Sequence, residues 1–215
     1  MIRGPVARSI LVGSFALALS LAVARAQEPG AAETGKIGAD YVLSAPAFAL
    51  IDADGKTVRA SDFPGKWLLV YFGYTHCADL CPTALSQMTG ALDQLGDVAK
   101  YFQPIFVSID PERDRGAALR LYTQSFDPRL LGLTGVPAEI AQLAASVGVS
   151  YSKVLQPGDD YVIDHAATLT LIAPDLRHAT TFKLGESYRI AATLVAALDR
   201  AGVPIAGANN IGAYR

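Results

Sequence analysis

The stretch Lys66–Leu85, "KWLLVYFGYTHCADLCPTAL", contains two patterns that together indicate the architecture of the chain. Its first half is a near-continuous apolar run rich in aromatic and branched residues, which predicts a strand buried on both faces of a central sheet. Its second half holds both cysteines of the chain, Cys77 and Cys81, with Pro82 directly after the second. The cysteine pair therefore follows immediately on a buried strand.

A helix is predicted directly after the cysteine pair. Apolar residues at steps of three, four and three give it one buried stripe: Leu85, Met88, Leu92 and Leu95. Met88 is therefore predicted to be a core residue rather than a metal ligand. Pro82 disfavours helical geometry at Cys81 and suits the first helical position, which places Cys81 at or near the N-cap. The helix N-terminus would then lower the pKa of the Cys81 thiol.

The remaining sequence predicts strands and helices in an order typical of an α/β fold. Asp54-Gly55 predicts an N-terminal β-hairpin, and strands then alternate with helices as far as Gly148. Two further strands and a terminal helix from about Ser187 to Arg200 complete the order. We expect a mixed central sheet flanked by helices, similar to the thioredoxin-like fold with an extra N-terminal β-hairpin.

The N-terminus has the pattern of a secretory signal peptide. Two arginines precede the apolar run Ile10–Ala24, and Ala24-Arg25-Ala26 fits a cleavage site of small residues. An uncleaved N-terminal anchor is the alternative. The predicted organisation is a signal peptide or anchor at 1–26, a flexible linker at 27–40, a folded domain at 41–203 and a disordered tail at 204–215.

Length and charge exclude some classes of protein. The 215 residues suit one domain, since domains commonly have about 100 to 200 residues. The net charge is −2, and it becomes −5 when residues 1–26 are removed with their three arginines and no acidic residue. No lysine- or arginine-rich run is present, so nucleic-acid binding has no electrostatic basis.

The cysteine spacing is compatible with several chemistries. A structural disulfide would close a loop too short to remove much chain entropy. A thioredoxin-type dithiol has two intervening residues, whereas this pair has three. A peroxiredoxin-like peroxidase would need threonine three residues before the cysteine, where Tyr74 stands. A soft metal is the remaining option; two thiolates suit Cu(I), Zn(II) or iron–sulfur centres, and an added imidazole suits copper in both oxidation states.

The chain has three histidines that could complete such a site. His76 directly precedes Cys77, so its side chain is expected to point away from that of Cys77. His178 lies in a predicted exposed hairpin strand. His165 lies in the predicted loop before the penultimate sheet strand, which in a thioredoxin-like topology lies beside the turn that holds the first cysteine. Asp164 and Asp79 are either outer residues that orient the ligands or solvated loop acids.

Three segments together resemble the SCO/SenC family of copper chaperones: "YFGYTHCADLCPTAL", "VSIDPERD" and "DYVIDHAATLTLIAPD". The resemblance extends from about Phe48 to Arg200. It implies a thioredoxin-like fold, an N-terminal anchor or signal, and copper bound by Cys77, Cys81 and His165. It also implies a role in delivering copper to, or reducing the cysteines of, the binuclear copper site of cytochrome c oxidase.

The chain departs from the family pattern in two places. Ala78 follows the first cysteine where the family commonly has proline, and the N-terminal apolar run is shorter than the usual anchor. The loop Asp110–Asp114 is predicted to be either a structural ion-pair loop or a docking surface, and the sequence leaves both open.

The leading expectation is an exported copper chaperone, binding Cu(I) and Cu(II), rather than a conventional enzyme. We expect it to be a monomer that is periplasmic if bacterial, free or attached to the inner membrane by an uncleaved N-terminus. Its expected partners are the copper-bearing subunit of cytochrome c oxidase and other exported copper chaperones. The alternative is a thiol-disulfide oxidoreductase that uses Cys77 and Cys81 without an obligatory metal.

Overall fold

A computed structural model describes residue 1 and residues 39–43, 48–158 and 160–205. All elements lie within the unit Lys36–Arg215. In chain order they are β1 (Ala39–Val42), β2 (Ala49–Asp52), β3 (Thr57–Arg59), β4 (Trp67–Gly73), α1 (Leu80–Leu95), β5 (Phe102–Ser108), α2 (Gly116–Gln124), β6 (Leu131–Thr134), α3 (Pro137–Ser146), β7 (Tyr151–Leu155), β8 (Tyr161–His165), β9 (Thr168–Ile172), β10 (His178–Lys183) and α4 (Ser187–Arg200).

The central sheet is mixed and has eight strands in the order β1-β10-β9-β4-β5-β6-β2-β3. Strand β4 pairs in parallel with β5, which pairs in parallel with β6, while β9 runs antiparallel to β4. The β4 side chains from Leu68 to Phe72 are almost completely buried. The predicted central strand is confirmed, and its carboxyl end leads directly to the cysteines.

The predicted N-terminal hairpin is formed by β2 and β3. The carboxylate of Asp52 accepts hydrogen bonds from the backbone N–H groups of Asp54 and Lys56, at 2.8 and 2.9 Å, and so closes the turn. Gly55 adopts a positive φ of 78° there, which glycine does without steric cost. The hairpin joins the sheet through β2, which pairs with β6.

Helix α1 carries the predicted buried stripe but begins earlier than expected. Leu85, Met88 and Leu92 are buried, as the periodicity predicts. The N-cap is Asp79, so Cys81 is the second helical residue rather than the cap. Pro82 is tolerated inside the first turn because an N–H group there would have no partner within the helix.

Strands β7 and β8 form a separate two-stranded antiparallel sheet, with Tyr151 opposite His165 and Leu155 opposite Tyr161. The predicted loop position of His165 is wrong, because His165 is the last residue of β8. Only Ile163 of β8 is buried, so the strand lacks the strong apolar pattern of β4. Gly158, with φ of 84°, lies in the connection between the two strands.

Strand β1 begins two residues before Tyr41. Residues 39 and 40, which the sequence analysis assigned to the linker, belong to β1, and β1 pairs with β10 at the edge of the sheet. The predicted signal segment, the rest of the linker and residues 206–215 of the predicted tail lie outside the described residues. Among the described helices none is long and apolar enough to cross a membrane.

Candidate metal centre

Three side chains with metal-binding atoms converge at the carboxyl end of β4. The sulfurs of Cys77 and Cys81 and a ring nitrogen of His165 all lie within 4.8 Å of one another. Cys77 lies in the loop after β4, Cys81 in the first turn of α1, and His165 at the end of β8. Over the part of the chain that the structure describes, this is the one cluster of three or more histidine, cysteine or acidic side chains close enough to hold an ion.

Cys81 is fully buried. Burial raises the pKa of its thiol to about 12, because a thiolate loses its hydration there, although a hydrogen bond with the Tyr74 backbone acts in the opposite direction. The predicted lowering of the Cys81 pKa was therefore wrong: desolvation outweighs the helix N-terminus. The Tyr71 hydroxyl also donates to the Cys81 sulfur, at 3.8 Å.

Cys77 is the more accessible of the two cysteines, and both are free thiols. The backbone N–H of Cys81 donates to the Cys77 sulfur at 3.3 Å. The first turn of α1 therefore directs an N–H group at Cys77, which precedes the helix, rather than at the sulfur of Cys81. The N–H of Cys77 donates to the Tyr74 carbonyl at 3.3 Å, which helps to fix the turn.

The imidazole of His165 is oriented by the backbone carbonyl of the next residue, Ala166. Its Nδ1 lies 3.3 Å from the carbonyl oxygen of Ala166, which can only accept, so Nδ1 carries the proton in the neutral ring. Nε2 is then the free acceptor, 3.4 Å from the Cys81 sulfur. Burial lowers the pKa of His165, which favours this neutral form. The Cys81 thiol therefore donates to an imidazole nitrogen whose lone pair would otherwise be available to a metal ion.

Two tyrosines and a glycine shape the space around these ligands, and the sequence analysis missed all three. The rings of Tyr71 and Tyr74 each lie edge-on to the His165 ring, with centroids 6.0 Å apart. A Cβ atom at Gly73 would lie 2.8 Å from the Cys81 sulfur, closer than real Cβ contacts. An isolated glycine at the end of a buried strand is the signal that indicates such a close approach.

The other predicted candidates lie outside the cluster. His76 is exposed, and its Nδ1 lies 3.6 Å from a carboxylate oxygen of Asp114. His178 is exposed at the start of β10, with Nδ1 2.5 Å from Asp175. Asp79 and Asp164 both have exposed side chains. The charge of Asp164 raises the pKa of His165, but this effect is weaker than that of burial.

The loop Asp110–Asp114 is an internally bonded ion-pair loop. Asp110 pairs with Arg113 and accepts a hydrogen bond from the Tyr161 hydroxyl at 2.7 Å. Asp114 is fully buried and accepts hydrogen bonds from the Thr75 N–H, the Thr75 hydroxyl and the Ser108 hydroxyl, at 2.6 to 2.7 Å. These contacts show that the loop is bonded to itself and to its neighbours, as the ion-pair alternative predicts.

Comparison with known proteins identifies relatives of this chain. The family model described as SCO1/SenC matches residues 40–199. The chain is 44% identical over 131 residues to the mitochondrial SCO2 homologue of Bos taurus, an alignment that covers 60% of this chain and 49% of that protein. The chain spans 39% to 49% of the length of this relative and the mitochondrial SCO1 homologues of Arabidopsis thaliana and Homo sapiens.

Solved structures show the same fold. ScoI of Bradyrhizobium japonicum with copper bound is 40% identical, with a TM-score of 0.62 over 74% of this chain and 98% of that chain. Arabidopsis thaliana ScoI with copper bound is 34% identical, with a TM-score of 0.66 over 76% of this chain and 99% of that one. The predicted α/β fold of the thioredoxin-like type is confirmed. The family match over most of the domain and these relatives show that the chain belongs to the SCO1/SenC family.

Proposed function

We propose that this protein is a copper chaperone that holds one copper ion with Cys77, Cys81 and His165. The observation that carries the proposal is the convergence of two cysteine sulfurs and one imidazole nitrogen within 4.8 Å. Thiolates favour Cu(I), and an added nitrogen donor suits Cu(II). A structural zinc site is normally closed by four protein ligands, and this cluster has three.

Two further observations support copper as the metal. The ScoI proteins of Bradyrhizobium japonicum and Arabidopsis thaliana, both more than 30% identical to this chain, have been solved with copper bound. The orientation of His165 also fits a metal ligand, because Nδ1 is occupied by the Ala166 carbonyl while Nε2 faces a ligand sulfur. Metal-binding histidines commonly donate their second ring N–H to such an acceptor.

In this proposal copper is a cargo that is passed on by ligand exchange. Cys77 is partly exposed while Cys81 is buried, so a partner's ligand would reach the ion from the Cys77 side. The family resemblance implies that the destination is the binuclear copper site of cytochrome c oxidase. The partners would be its copper-bearing subunit and other exported copper chaperones, and the protein would act as an exported monomer, in the periplasm if the source is bacterial. Asp79 and Asp164 would act, if at all, through contacts outside the ligand set.

Thiol-disulfide exchange is a second candidate, favoured by the different exposure of the two cysteines. The Cys77 thiolate would attack a partner disulfide and form a mixed disulfide, releasing one partner thiolate. Cys81, after giving its proton to His165, would then attack the Cys77 sulfur and release the second partner thiolate. The partner disulfide is reduced, and Cys77 and Cys81 are oxidised to a disulfide. Because His165 lies next to Cys81, a reductase would also need this residue, so activity alone does not separate the two functions.

Anaerobic titration of the reduced protein with Cu(I), in competition with a chelator, tests the copper proposal. We expect one tight equivalent, and we expect Cys77→Ser and Cys81→Ser each to abolish it, since a serine hydroxyl is a poor ligand for a soft ion. The oxidised disulfide form should bind none, because it has no thiolate to offer. The matched control is His178→Ala, which changes a residue outside the cluster. Tight binding that survives in either serine variant would refute this site.

A further inference from the structure

The position of His165 relative to the two cysteines is set by the backbone and by contacts between side chains. The cysteines follow β4, a central strand of the eight-stranded sheet, whereas His165 ends β8 of the separate β7–β8 sheet. Within the described residues no strand pairing joins the two sheets. The backbone after His165 makes one direct connection, because it enters β9 at Thr168, and β9 pairs with β4 in the central sheet. Contacts between side chains act in addition to this connection to hold the rest of β8 beside the cysteine segment.

The loop Asp110–Asp114 contacts the β7–β8 sheet through Tyr161. The Tyr161 hydroxyl donates to Asp110 at 2.7 Å. The Arg113 guanidinium lies 3.7 Å from the centre of the Tyr161 ring and donates to the Tyr161 carbonyl oxygen at 3.3 Å. Arg113 also forms an ion pair with Asp110, so the two residues that contact Tyr161 are bonded to each other. Tyr161 lies four residues before His165 on the same strand.

The other end of the same loop contacts the segment that carries the cysteines. The buried carboxylate of Asp114 accepts hydrogen bonds from the N–H and the hydroxyl of Thr75, at 2.7 and 2.6 Å. Thr75 lies two residues before Cys77. The hydroxyl of Ser108, at the end of β5, donates to Asp114 at 2.7 Å and connects this end of the loop to the central sheet.

We propose that Asp110, Arg113 and Asp114 are positioning residues that set the distance between His165 and the two cysteine sulfurs. This inference rests on the proposed copper site and concerns how that site is assembled. The loop binds no metal itself; it connects the cysteine segment to the histidine strand. Loss of the connection should weaken Cu(II), which depends on the imidazole, more than Cu(I), which two thiolates can hold.

Two measurements test this role, and the first needs no metal. Arg113→Ala removes the ion pair and the stacking on Tyr161, while Tyr161→Phe removes only the hydroxyl that donates to Asp110. The control is Arg129→Ala, because Arg129 pairs in the same way with Asp127 and Asp93. In the metal-free protein we expect Arg113→Ala to speed hydrogen exchange of the β8 amides by about tenfold, as expected from losing a hydrogen bond to a charged group.

The second measurement is the affinity of each variant for Cu(II) and Cu(I). We expect Arg113→Ala to lower Cu(II) affinity by about tenfold or more, as is usual when an outer partner of a metal ligand is removed, with a smaller effect on Cu(I). Tyr161→Phe should act in the same direction to a lesser extent, and Arg129→Ala should change neither affinity.

The positioning role would be overturned by the absence of any difference among Arg113→Ala, Tyr161→Phe and Arg129→Ala. In that outcome the three variants share one rate of hydrogen exchange at the β8 amides and one Cu(II) affinity. Failure of the unaltered protein to bind copper would instead refute the proposed function. In that case the exchange measurement on the metal-free protein would still decide whether the loop holds β8 in place.

Discussion

In the metal-free site, the Cys81 sulfur and the His165 Nε2 are joined by a hydrogen bond that contains a single proton. Burial raises the pKa of the Cys81 thiol to about 12 and lowers the pKa of the His165 imidazole, so near neutral pH the proton stays on sulfur. The His165 Nε2 accepts it in a hydrogen bond at 3.4 Å. A copper ion that takes both atoms as ligands must expel this proton, because the thiolate is the ligand.

Copper binding should therefore release protons and grow stronger with pH. We expect Cu(I) affinity to rise by at least about tenfold for each pH unit around neutrality, because the Cys81 proton competes with the metal at any pH below its pKa. Calorimetric titration in buffers of different ionisation enthalpy should show release of at least one proton per copper. An affinity that stays constant across this range would show that Cys81 is already ionised or is not a ligand.

Helix α1 joins the proposed copper site to the core through one buried stripe. Cys81 and Met88 are both buried on this helix and lie two turns apart, but only Cys81 belongs to the metal-binding cluster. Met88 is 0% exposed and belongs to the hydrophobic core. Its thioether should therefore contribute packing alone.

Substitution of Met88 should separate packing from copper binding. Met88→Leu keeps a similar volume, so we expect a loss of less than about 1.5 kcal/mol in the free energy of unfolding. Met88→Ala leaves a cavity and should cost about 2 to 5 kcal/mol. Both variants should keep one tight Cu(I) equivalent while folded, as measured by chelator competition beside urea denaturation. Loss of tight binding in folded Met88→Leu would give Met88 a role at the metal.

The elements that could be predicted from the sequence are those whose burial imposes a strong pattern. Strand β4 is buried on both faces and α4 carries a full apolar stripe, so both were found. Strand β8 was missed because only Ile163 is buried in it, and β1 was missed because it is a four-residue edge strand. A strand with few buried residues shows little alternation of apolar and polar residues. Its formation depends on pairing or packing with segments distant in the sequence.

For the candidate site, too, local sequence patterns could be predicted and contacts between distant residues could not. The cysteine pair is visible in the sequence because both residues lie in one short motif. The expected topology singled out His165, and the family resemblance implied that it is a ligand. The raised pKa of Cys81 was missed because it depends on burial by residues from other elements, which no local pattern indicates. The contacts of Asp114 with Thr75 and of Asp110 with Tyr161 join residues 39 and 51 positions apart, so no local pattern indicates them.

For the whole molecule, the folded domain contains the proposed copper site, and the N-terminal segment is predicted to direct its export. Residues 1–26 have the pattern of a signal peptide, while the family match begins at residue 40. The domain would therefore keep its full copper site after removal of that segment. We propose that the segment directs export, either as a cleaved signal or as a retained anchor.

We predict that the mature protein begins near Gln27. The apolar run of about 15 residues is shorter than the roughly 20 residues that a membrane-spanning helix needs, and Ala24-Arg25-Ala26 fits a cleavage site. Intact-mass measurement on protein isolated from its native host should give a chain that starts close to this residue. Recovery of the full-length chain from the membrane fraction would contradict cleavage and favour the anchor.

In the proposed function, His165 completes a copper site with Cys77 and Cys81. The most direct test is the absorption spectrum of the reduced protein and its histidine variants, each with one equivalent of Cu(II). We predict that His165→Ala loses the intense sulfur-to-copper charge-transfer band while it retains Cu(I) at reduced affinity, because Cu(II) needs the nitrogen donor. His76→Ala and His178→Ala should keep the band, since both residues lie outside the cluster. An unchanged band in His165→Ala, or its loss in His76→Ala instead, would contradict the account.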